Sequence, residues 1–364
     1  MFTSRRMFLS TLAAATLTSS LPTITFARNG GSKWMACRKV GNTFQATLLN
    51  GNGAILMDVP LPARGHGLAT SSARDHLVIF ARRPGTFAII VELTSHTIVQ
   101  EITASAGRHF YGHGCFSQDG KFLYTTENDL ESGNGVIGVR DVENGYALVA
   151  SHASGGIGPH ELALMPDGKT LAIANGGILT NPELERAKLN LDTMAPSLVL
   201  MNRINGHIAS MHKLAPELHQ LSVRHMSIAP TGAIVLALQY EGPKSHRMSL
   251  LATFEGNGLT LADAPETLTR AMRNYAGSIV HDPSGQIIGM TSPRGNLVSF
   301  WDANSHTLLG QQTMRDVCGI APGDMPGEFI LAGGSETMNA TPLSLSPSGT
   351  FADTQWDNHM VPVA

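Results

Sequence analysis

Short apolar runs alternate with turn residues along most of this chain. In each repeat of the pattern, an apolar run precedes a turn of Pro, Asp or Gly, a second β-rich run and a polar, glycine-rich segment. Six stretches share this order: GHGLATSSARDHLVIFARRPG from Gly65, GHGCFSQDGKFLYTTEND from Gly112, GPHELALMPDGKTLAIANGG from Gly158, VRHMSIAPTGAIVLALQYEG from Val223, GSIVHDPSGQIIGMTSPRG from Gly277 and VCGIAPGDMPGEFILAGGS from Val317. Apolar runs of this length between turn residues predict β-strands.

Two further apolar runs separate successive stretches, as in residues 87–93 and 98–104. Each unit therefore contains four consecutive strands, and the units recur at about 47 residues. Four antiparallel strands per repeat are typical of a β-propeller blade. We predict an all-β propeller, with a β-sandwich or a two-domain β protein as the structural alternative.

The two ends of the chain predict a seventh blade. Residues 34–40, 44–49 and 54–59 supply three strands with no first strand before them, and residues 359–363 resemble the first strands of the other units. Pairing of the terminal strands closes the ring and hides both sheet edges from aggregation. The expected architecture is a single seven-bladed domain over residues 28–364, closed by its N- and C-terminal strands.

Histidine recurs where the first strand of a unit begins. We call these residues the repeat histidines: His66, His113, His160, His225 and His359. Ser278 and Cys318 hold the same position in the other two units. Because the first strand of a blade is innermost, equivalent positions converge at the mouth of the central channel. His160 is offset by one residue, which leaves its direction open because such a shift reverses the face of a strand.

Histidine is the commonest metal ligand of proteins. The repeat histidines, together with Glu161 beside His160, therefore predict a transition-metal site for iron, copper, zinc or nickel. Two alternatives remain open. The histidines can be structural groups that bond between blades, or they can bind a small anionic ligand.

One unit is about 18 residues longer than its neighbours, and the excess lies at about residues 176–196. Hairpin connections usually have two to five residues, so this segment is an insertion rather than a turn. It follows a second strand, which returns the chain towards the channel mouth. Its polar side chains, and those at the analogous place one unit earlier, predict a site for an anionic or polyhydroxy ligand, with a surface lid as the alternative. The residues are Arg186, Lys188, Asn190, Asp192, Glu127, Asn128 and Asp129.

The N-terminal residues have the pattern of an export signal. SRRMFL at residues 4–9 places paired arginines before an apolar run, and TFA at residues 25–27 offers a small-residue cleavage site. This is the order of a twin-arginine signal, with an ordinary Sec peptide as the alternative. We expect a mature chain that begins near Arg28 and is periplasmic and soluble, because no later stretch approaches the roughly 18 apolar residues of a membrane span.

Composition restricts the partners. Charged residues make up 15% of the chain and the net charge is −3, which disfavours nucleic acid as a partner. Cys37, Cys115 and Cys318 form no CxxC pair, so neither a zinc knuckle nor a c-type haem attachment is indicated, and at most one disulfide can form. The GxSxG, GxxxxGK[ST] and HExxH motifs of common enzymes are absent from the sequence.

Several motifs together resemble a family of exported bacterial propellers of unknown function. They are the leader, GHG…DG…LYTTEND, GIGPHEL, NGGI…KLNLDTM…PSL, RHM and WDNH, and they cover essentially the whole mature chain. The chain is more distantly similar to YncE-type periplasmic propellers and to propeller lactonases. The positions that match the family are His113, Glu127, Asn128, Asp129, His160, Glu161, Arg186, Lys188, Asn190, Asp192, Arg224, His225 and His359. The resemblance adds Arg224 to the expected ligand-binding residues.

Relatives in that family are often encoded beside imelysin-type iron-uptake proteins and a di-haem peroxidase-like oxidoreductase. The resemblance therefore implies a role in periplasmic iron or copper handling. The first hypothesis is a binding protein that serves this role with partner proteins and has no turnover of its own. The alternative is a metal-dependent enzyme at the channel mouth, either a lactonase-like hydrolase or an oxidoreductase, with Glu161 or Glu127 as the general base. A protein-binding scaffold with purely structural histidines is the third hypothesis.

Overall fold

The computed structural model describes residues 31–184 and 187–363. In these residues the chain forms seven antiparallel sheets of four strands each. The seven-bladed propeller predicted from the sequence repeats is confirmed. The predicted signal peptide, residues 1–27, lies outside the described residues.

Blade 1 combines both ends of the chain, and the other blades follow in chain order. Blade 1 contains β1 (Lys33–Val40), β2 (Thr43–Asn50), β3 (Ile55–Leu61) and β28 (Thr354–Val363). Blade 2 contains β4 (Gly65–Thr70), β5 (His76–Ala81), β6 (Phe87–Glu92) and β7 (Thr97–Thr103). Blade 3 contains β8 (Arg108–Phe116), β9 (Phe122–Asp129), β10 (Gly135–Asp141) and β11 (Ala147–Ala153). Blade 4 contains β12 (Pro159–Leu164), β13 (Thr170–Asn175), β14 (Ser197–Asn202) and β15 (Ile208–His212).

The remaining three blades have the same four-stranded order. Blade 5 contains β16 (Leu221–Ile228), β17 (Ile234–Tyr240), β18 (Leu251–Phe254) and β19 (Leu259–Leu261). Blade 6 contains β20 (Ser278–His281), β21 (Ile287–Ser292), β22 (Leu297–Asp302) and β23 (Leu308–Thr313). Blade 7 contains β24 (Val317–Pro322), β25 (Phe329–Gly333), β26 (Glu336–Thr341) and β27 (Ser344–Thr350).

Helical structure is sparse in the residues that the structure describes. A short helix, α1 (Glu266–Ala271), precedes blade 6, and 3₁₀ turns cover Pro182–Leu184, Leu191–Thr193 and Pro216–Leu218. Across the part of the chain that the structure describes, no helix has the length and apolar character needed to cross a membrane.

The ring closes through the pairing of β1 with β28. The two strands are antiparallel, with Lys33 opposite Val363 and Val40 opposite Thr354. The C-terminal strand therefore occupies the innermost place in blade 1, as the sequence predicts. This pairing gives β1 a partner on both sides, because β2 lies along its other edge.

The hydrophobic core lies between neighbouring blades. Met35 and Leu48 of blade 1, for example, belong to one buried cluster with Leu77 and Ile79 of blade 2. Middle strands such as β13 and β17 are buried over most of their length, because each blade is covered on both faces. Outer strands such as β15 and β23 alternate between half-buried and exposed residues. This gradient explains why the inner strands have continuous apolar runs.

The longest connection within blade 4 joins β13 to β14 and spans residues 176–196. Asn190 fastens it: its Oδ1 accepts a hydrogen bond from the Leu179 amide at 2.7 Å, and its Nδ2 donates to the Gly177 carbonyl at 2.9 Å. Gln220 Nε2 also donates to the Leu191 carbonyl at 3.2 Å. The insertion is thereby tied to the start of blade 5.

We predict that Trp34→Ala destabilises the protein by about 3–5 kcal/mol. Trp34 is fully buried between blades 7 and 1, and its Nε1 donates to the Pro322 carbonyl at 3.1 Å. Leu343→Ala is the matched control, because Leu343 is 89% exposed and its loss should change stability by less than about 0.5 kcal/mol. Chemical denaturation followed by circular dichroism measures both. Equal midpoints for the two variants would contradict this account of ring closure.

Candidate metal centre

The first strands of the seven blades form an inner ring. Each contacts the first strand of the next blade, and β28 contacts β4 to complete the circle. All five repeat histidines are buried at this axis, with exposed fractions from 2% to 8%. The structure thus brings together the complete set of histidines that the sequence repeats single out.

Irregular strand pairing accompanies every repeat histidine. The register shifts fall between Gly65 and Leu68, between Phe110 and Gly114, between Pro159 and Glu161, between Val223 and His225, and between Trp356 and Met360. A β-bulge inserts extra residues into one strand and changes the direction of the side chains around it. The bulges therefore let all five histidines meet despite the one-residue offset of His160.

Glycines beside two of the histidines allow the rings to approach. A Cβ atom on Gly67 would lie 2.8 Å from His113 Nδ1, and one on Gly112 would lie 2.7 Å from Cδ2 of His66. Gly112 also has a positive φ of 104°, which side-chain-bearing residues rarely adopt. The GHG motifs are thus explained by close packing of imidazoles from neighbouring blades.

The five imidazole rings form one cluster. Ring centroids of His225 and His359 are 4.3 Å apart, and those of His66 and His225 are 6.5 Å apart. Two groups of three histidines each place one ring nitrogen per residue within 4.8 Å of the others. The groups are His66, His113 and His359, and His113, His160 and His225. Either group is compact enough to surround a metal ion after small side-chain movements.

Hydrogen bonds fix the orientation of three rings from behind. His66 Nδ1 lies 3.1 Å from an Asp357 carboxylate oxygen, and His225 Nδ1 lies 3.1 Å from Glu161 Oε2. Ser278 Oγ lies 3.4 Å from His359 Nδ1. A neutral imidazole that donates Nδ1–H to a carboxylate keeps a lone pair on Nε2, which is the arrangement behind many metal-binding histidines.

Four of the five rings carry a buried nitrogen without a hydrogen-bond partner among the described residues. They are His113 Nε2, His160 Nδ1, His225 Nε2 and His359 Nε2. A buried polar atom left unpaired costs about 1–3 kcal/mol, so such a concentration is unusual for a purely structural cluster. The donor set fits a metal ion that accepts neutral nitrogen ligands.

Burial also sets the charge of the cluster. Desolvation lowers the pKa of His66, although its Asp357 hydrogen bond opposes the shift. The pKa values of the other four repeat histidines lie well below the ordinary value, mainly because of burial. The imidazoles are therefore neutral near pH 7, which is the protonation state that binds metals.

Asp357 remains ionised beneath this cluster. Burial alone would raise the pKa of its carboxyl, but the hydrogen bond from His66 and the charges of Arg82 and Arg64 outweigh burial and hold the pKa well below its usual range. The Glu161 carboxyl differs, because burial raises its pKa. The two carboxylates thus support their histidines in different electrostatic surroundings.

Blades 6 and 7 contribute no histidine to the ring. Ser278 of blade 6 faces His359, as described above. The Cys318 thiol of blade 7 donates towards the backbone carbonyls of Trp356 and Asp357, and burial raises its pKa far above the ordinary thiol value. Cys318 is therefore held as a neutral thiol directed at the backbone. All three cysteines are free in the structure.

A cavity of about 590 Å³ opens above the histidines. Three repeat histidines, His66, His160 and His225, line its floor. Five cationic residues occur among its described lining residues, together with the carboxylate of Glu241. The cations are Arg82, Arg83, Lys188, Arg224 and Arg294. The cavity therefore combines neutral nitrogen ligands at its floor with strong positive charge around its wall.

The predicted ligand-binding residues divide into two sets. Lys188 and Arg224 line the cavity, and Glu161 lies behind His225 rather than in either histidine group.

The other predicted ligand-binding residues lie away from the described cavity wall or outside the described residues. Asp129 caps a turn at Ser132, and Asn190 braces the insertion. Asn128, 3% exposed, belongs to β9, Asp192 is exposed in a 3₁₀ turn, and Arg186 lies outside the described residues.

Glu127 is also displaced from the predicted ligand site. Its buried carboxylate lies 3.3 Å from the guanidinium groups of Arg108 and Arg140, and it accepts a hydrogen bond from Thr125 at 2.8 Å. The alternation of side chains along β9 directs Glu127 into blade 3 instead of towards the channel. Its surroundings make it a structural ion-pair partner.

Several cavity residues were missing from the sequence prediction. Arg82 and Arg83 follow β5, Glu241 follows β17, and Arg294 follows β21, so all four lie where a second strand ends. A comparison of the polar segments that follow the second strand in every unit would have found these residues. Asp357 carries no such repeat signal, because its pairing with His66 joins opposite ends of the chain.

The fold and the site define this protein as a seven-bladed β-propeller with a buried histidine cluster on its axis. The chain belongs to the family described as "Protein of unknown function (DUF1513)", whose sequence model matches residues 59–363. The predicted membership of a propeller family of unknown function is confirmed at this level. Among curated protein sequences, none matches the chain significantly.

Solved structures support the fold. A chain of Kuenenia stuttgartiensis hydrazine synthase is similar over 85% of this chain and 92% of its own length, with a TM-score of 0.59 and 14% sequence identity. A chain of a mitotic checkpoint complex is similar over 79% of each chain, with a TM-score of 0.57 and 11% identity. At these identities the likeness concerns the propeller architecture alone.

We predict that Glu127→Gln destabilises the fold by roughly 3–5 kcal/mol, because it leaves the nearly buried Arg140 guanidinium without its carboxylate. Metal content should stay unchanged. Glu143→Gln is the control, since its ion pair with Arg74 is largely exposed and worth less than about 1 kcal/mol. Thermal denaturation and elemental analysis of the purified variants test both statements. Metal loss in a folded Glu127→Gln protein would return Glu127 to the candidate site.

Proposed function

We propose that this protein binds a transition-metal ion on the propeller axis through the repeat histidines. The observation that carries the proposal is the convergence of buried, neutral imidazole nitrogens that lack hydrogen-bond partners among the described residues. Coordination would satisfy these nitrogens together and offset the free-energy cost of burying them.

His113 belongs to both groups of three, so it is central to either way of holding the ion. Imidazole ligands suit zinc, copper, iron and nickel, whereas calcium and magnesium prefer oxygen. We propose iron, copper or zinc as the bound metal. The Asp357 and Glu161 contacts support this choice, because carboxylates behind metal-binding histidines orient the rings and increase their basicity.

The wider role that we propose is metal handling in the periplasm. The twin-arginine pattern at residues 4–9 motivates export, and export of a folded chain would let the protein acquire its metal before it meets competing ions outside. In this role the propeller would deliver or hold iron or copper in cooperation with periplasmic uptake proteins. Detection of the mature chain in a periplasmic fraction, and its loss on replacement of both leader arginines by lysine, tests the export step.

A metal-dependent enzyme is the second candidate function. The cavity gives an outside molecule access to His66, His160 and His225, and an open coordination position is what metal catalysis requires. Glu161 is the remaining carboxylate candidate for a base, since Glu127 is held in its ion pairs. An assay for turnover of a lactone or of a redox dye tests this candidate. Turnover that disappears when the metal is removed would favour an enzyme over a protein that only binds metal.

We predict that the double variant His113→Asn, His225→Asn loses the bound metal, about one equivalent per chain in the unaltered protein. Each of the two groups of three loses at least one ligand in this variant. Inductively coupled plasma mass spectrometry of protein purified without a metal-binding tag gives the metal content.

The control for this variant is His96→Asn. His96 is exposed on a turn with φ of 59°, a conformation that asparagine tolerates well. The control should retain the metal, and both variants should keep the β-sheet circular dichroism spectrum. Retention of a full equivalent by the folded double variant would place the metal elsewhere and reject the proposed site.

Glu161→Gln should weaken metal binding by about 10- to 100-fold without abolishing it. The substitution removes the charge that faces His225 Nδ1 while it keeps the size of the side chain. Competition against a chelator of known affinity measures the dissociation constant. Glu183→Gln, an exposed residue of the insertion, is the control. An unchanged dissociation constant in Glu161→Gln would show that this carboxylate does not position the metal ligand.

A further inference from the structure

The cavity above the repeat histidines is positively charged in a protein whose net charge is −3. The five cationic residues among its described lining residues come from three blades and from the insertion, so no single strand accounts for them. Convergence of like charges at one wall is unfavourable for folding unless another group compensates for it. Water and salt screen the exposed charges, and further compensation comes from inside the protein or from a ligand.

The protein supplies only part of the compensation within the described residues. Glu241 serves two cations, because its carboxylate contacts both Lys188 and Arg224. Arg82 shares Asp357 with Arg64 at the edge of the histidine cluster. These two carboxylates therefore face four cations.

Arg83 and Arg294 have no carboxylate partner in residues 31–184 and 187–363. Arg83 donates to Thr180 Oγ1 at 2.9 Å and to the Tyr111 hydroxyl at 3.3 Å, both of which are neutral. Arg294 lies over the ring of Tyr275, with its guanidinium carbon 4.3 Å from the ring centroid. Each side chain is thus oriented by neutral contacts, and no carboxylate among the described residues compensates for its charge.

Arg224 provides an independent sign of a missing ligand. Its side chain is only 5% exposed, yet its Nε has no hydrogen-bond partner among the described groups, and its ion pair with Glu241 is long at 3.5 Å. A buried guanidinium normally has most of its donors satisfied, so this one has unused capacity at the cavity wall.

We infer that the cavity binds a small anion that carries at least two oxyanion groups, held by Arg83, Arg224 and Arg294 above the histidine cluster. The paired N–H donors of a guanidinium group match the two oxygens of a carboxylate or phosphate group. Several guanidinium groups placed around one cavity wall therefore suit an anion whose charges are separated. The cavity of about 590 Å³ is also larger than a single inorganic ion requires. The ligand would be a polycarboxylate or a polyphosphate.

The anion site depends on the cationic wall alone, whereas its contact with a metal rests on the proposed function. If the metal is bound, an oxyanion group of the same ligand can reach the coordination sphere, since His66, His160 and His225 line the cavity floor. The ligand in that case is a metal-chelating anion. Experiments on metal-free and metal-loaded protein separate the two statements.

Isothermal titration calorimetry on the metal-free protein tests the inference with three probes: citrate, pyrophosphate and chloride. We expect citrate or pyrophosphate to bind with one site per chain, more weakly as salt rises, while chloride gives no specific heat. Arg83→Gln and Arg294→Gln should each weaken binding at least tenfold. Arg294→Lys should retain part of the affinity for the anion, because lysine keeps the positive charge but lacks the paired N–H donors of a guanidinium group.

Arg74→Gln is the matched control, since Arg74 lies in the β4–β5 connection and pairs with Glu143 away from the cavity. It should leave the affinity for the anion unchanged. Preference for citrate identifies a polycarboxylate site, and preference for pyrophosphate identifies a polyphosphate site. Circular dichroism confirms that each variant is folded, and Arg294 is exposed at the rim, so its replacement should not affect folding.

Two results would overturn the inference. One is the absence of binding of both citrate and pyrophosphate to metal-free and metal-loaded protein alike. The other is binding that requires the metal and is unchanged in Arg83→Gln and Arg294→Gln, because the metal alone would then hold the anion. Neither result affects the metal content measured for the histidine variants, so failure of the anion site and failure of the metal site are distinguishable.

Discussion

Backbone pairing between Lys33–Val40 and Thr354–Val363 joins the two ends of the chain into one blade. This ladder places the C-terminal strand innermost, which brings His359 to the axis and Asp357 to His66, a residue 291 positions earlier. The same closure completes the contacts among the seven first strands. Because the histidine cluster draws on both ends of the chain, the site exists only when the ring is closed, and stability and site assembly are coupled.

Burial determines the chemistry of that cluster. Removal from water keeps the repeat histidines neutral and leaves their ring nitrogens available, while Asp357 and Glu161 hold two rings from behind. Outside this cluster, arginine and lysine side chains give the cavity wall a positive charge. A neutral, nitrogen-rich floor beneath a cationic wall is suited to a metal ion and an anion together, because each can neutralise charge that the other brings.

Much of the fold was predictable, because a propeller repeats one local pattern and the sequence shows each repeat of the turn. The repeat histidines were predictable from the same repeats, because each lies where the first strand of a unit begins. The bulges that direct them inwards did not, since a register shift such as that between Phe110 and Gly114 leaves no mark in hydrophobic alternation. Glu127 was assigned to the ligand site because it lies near a strand end, whereas its buried contacts with Arg108 and Arg140 depend on side-chain direction across blade 3. Contacts between distant segments, such as Asp357 with His66, require the closed ring and could not be obtained from local sequence.

The most direct test of the central claim is an anomalous difference map from crystals of the protein loaded with one equivalent of zinc, recorded at the zinc absorption edge. The account predicts one dominant peak on the propeller axis, about 2.0–2.1 Å from the ring nitrogens of at least three repeat histidines. A dominant peak at surface carboxylates or at the exposed histidines, with the axis free of anomalous density, would contradict it.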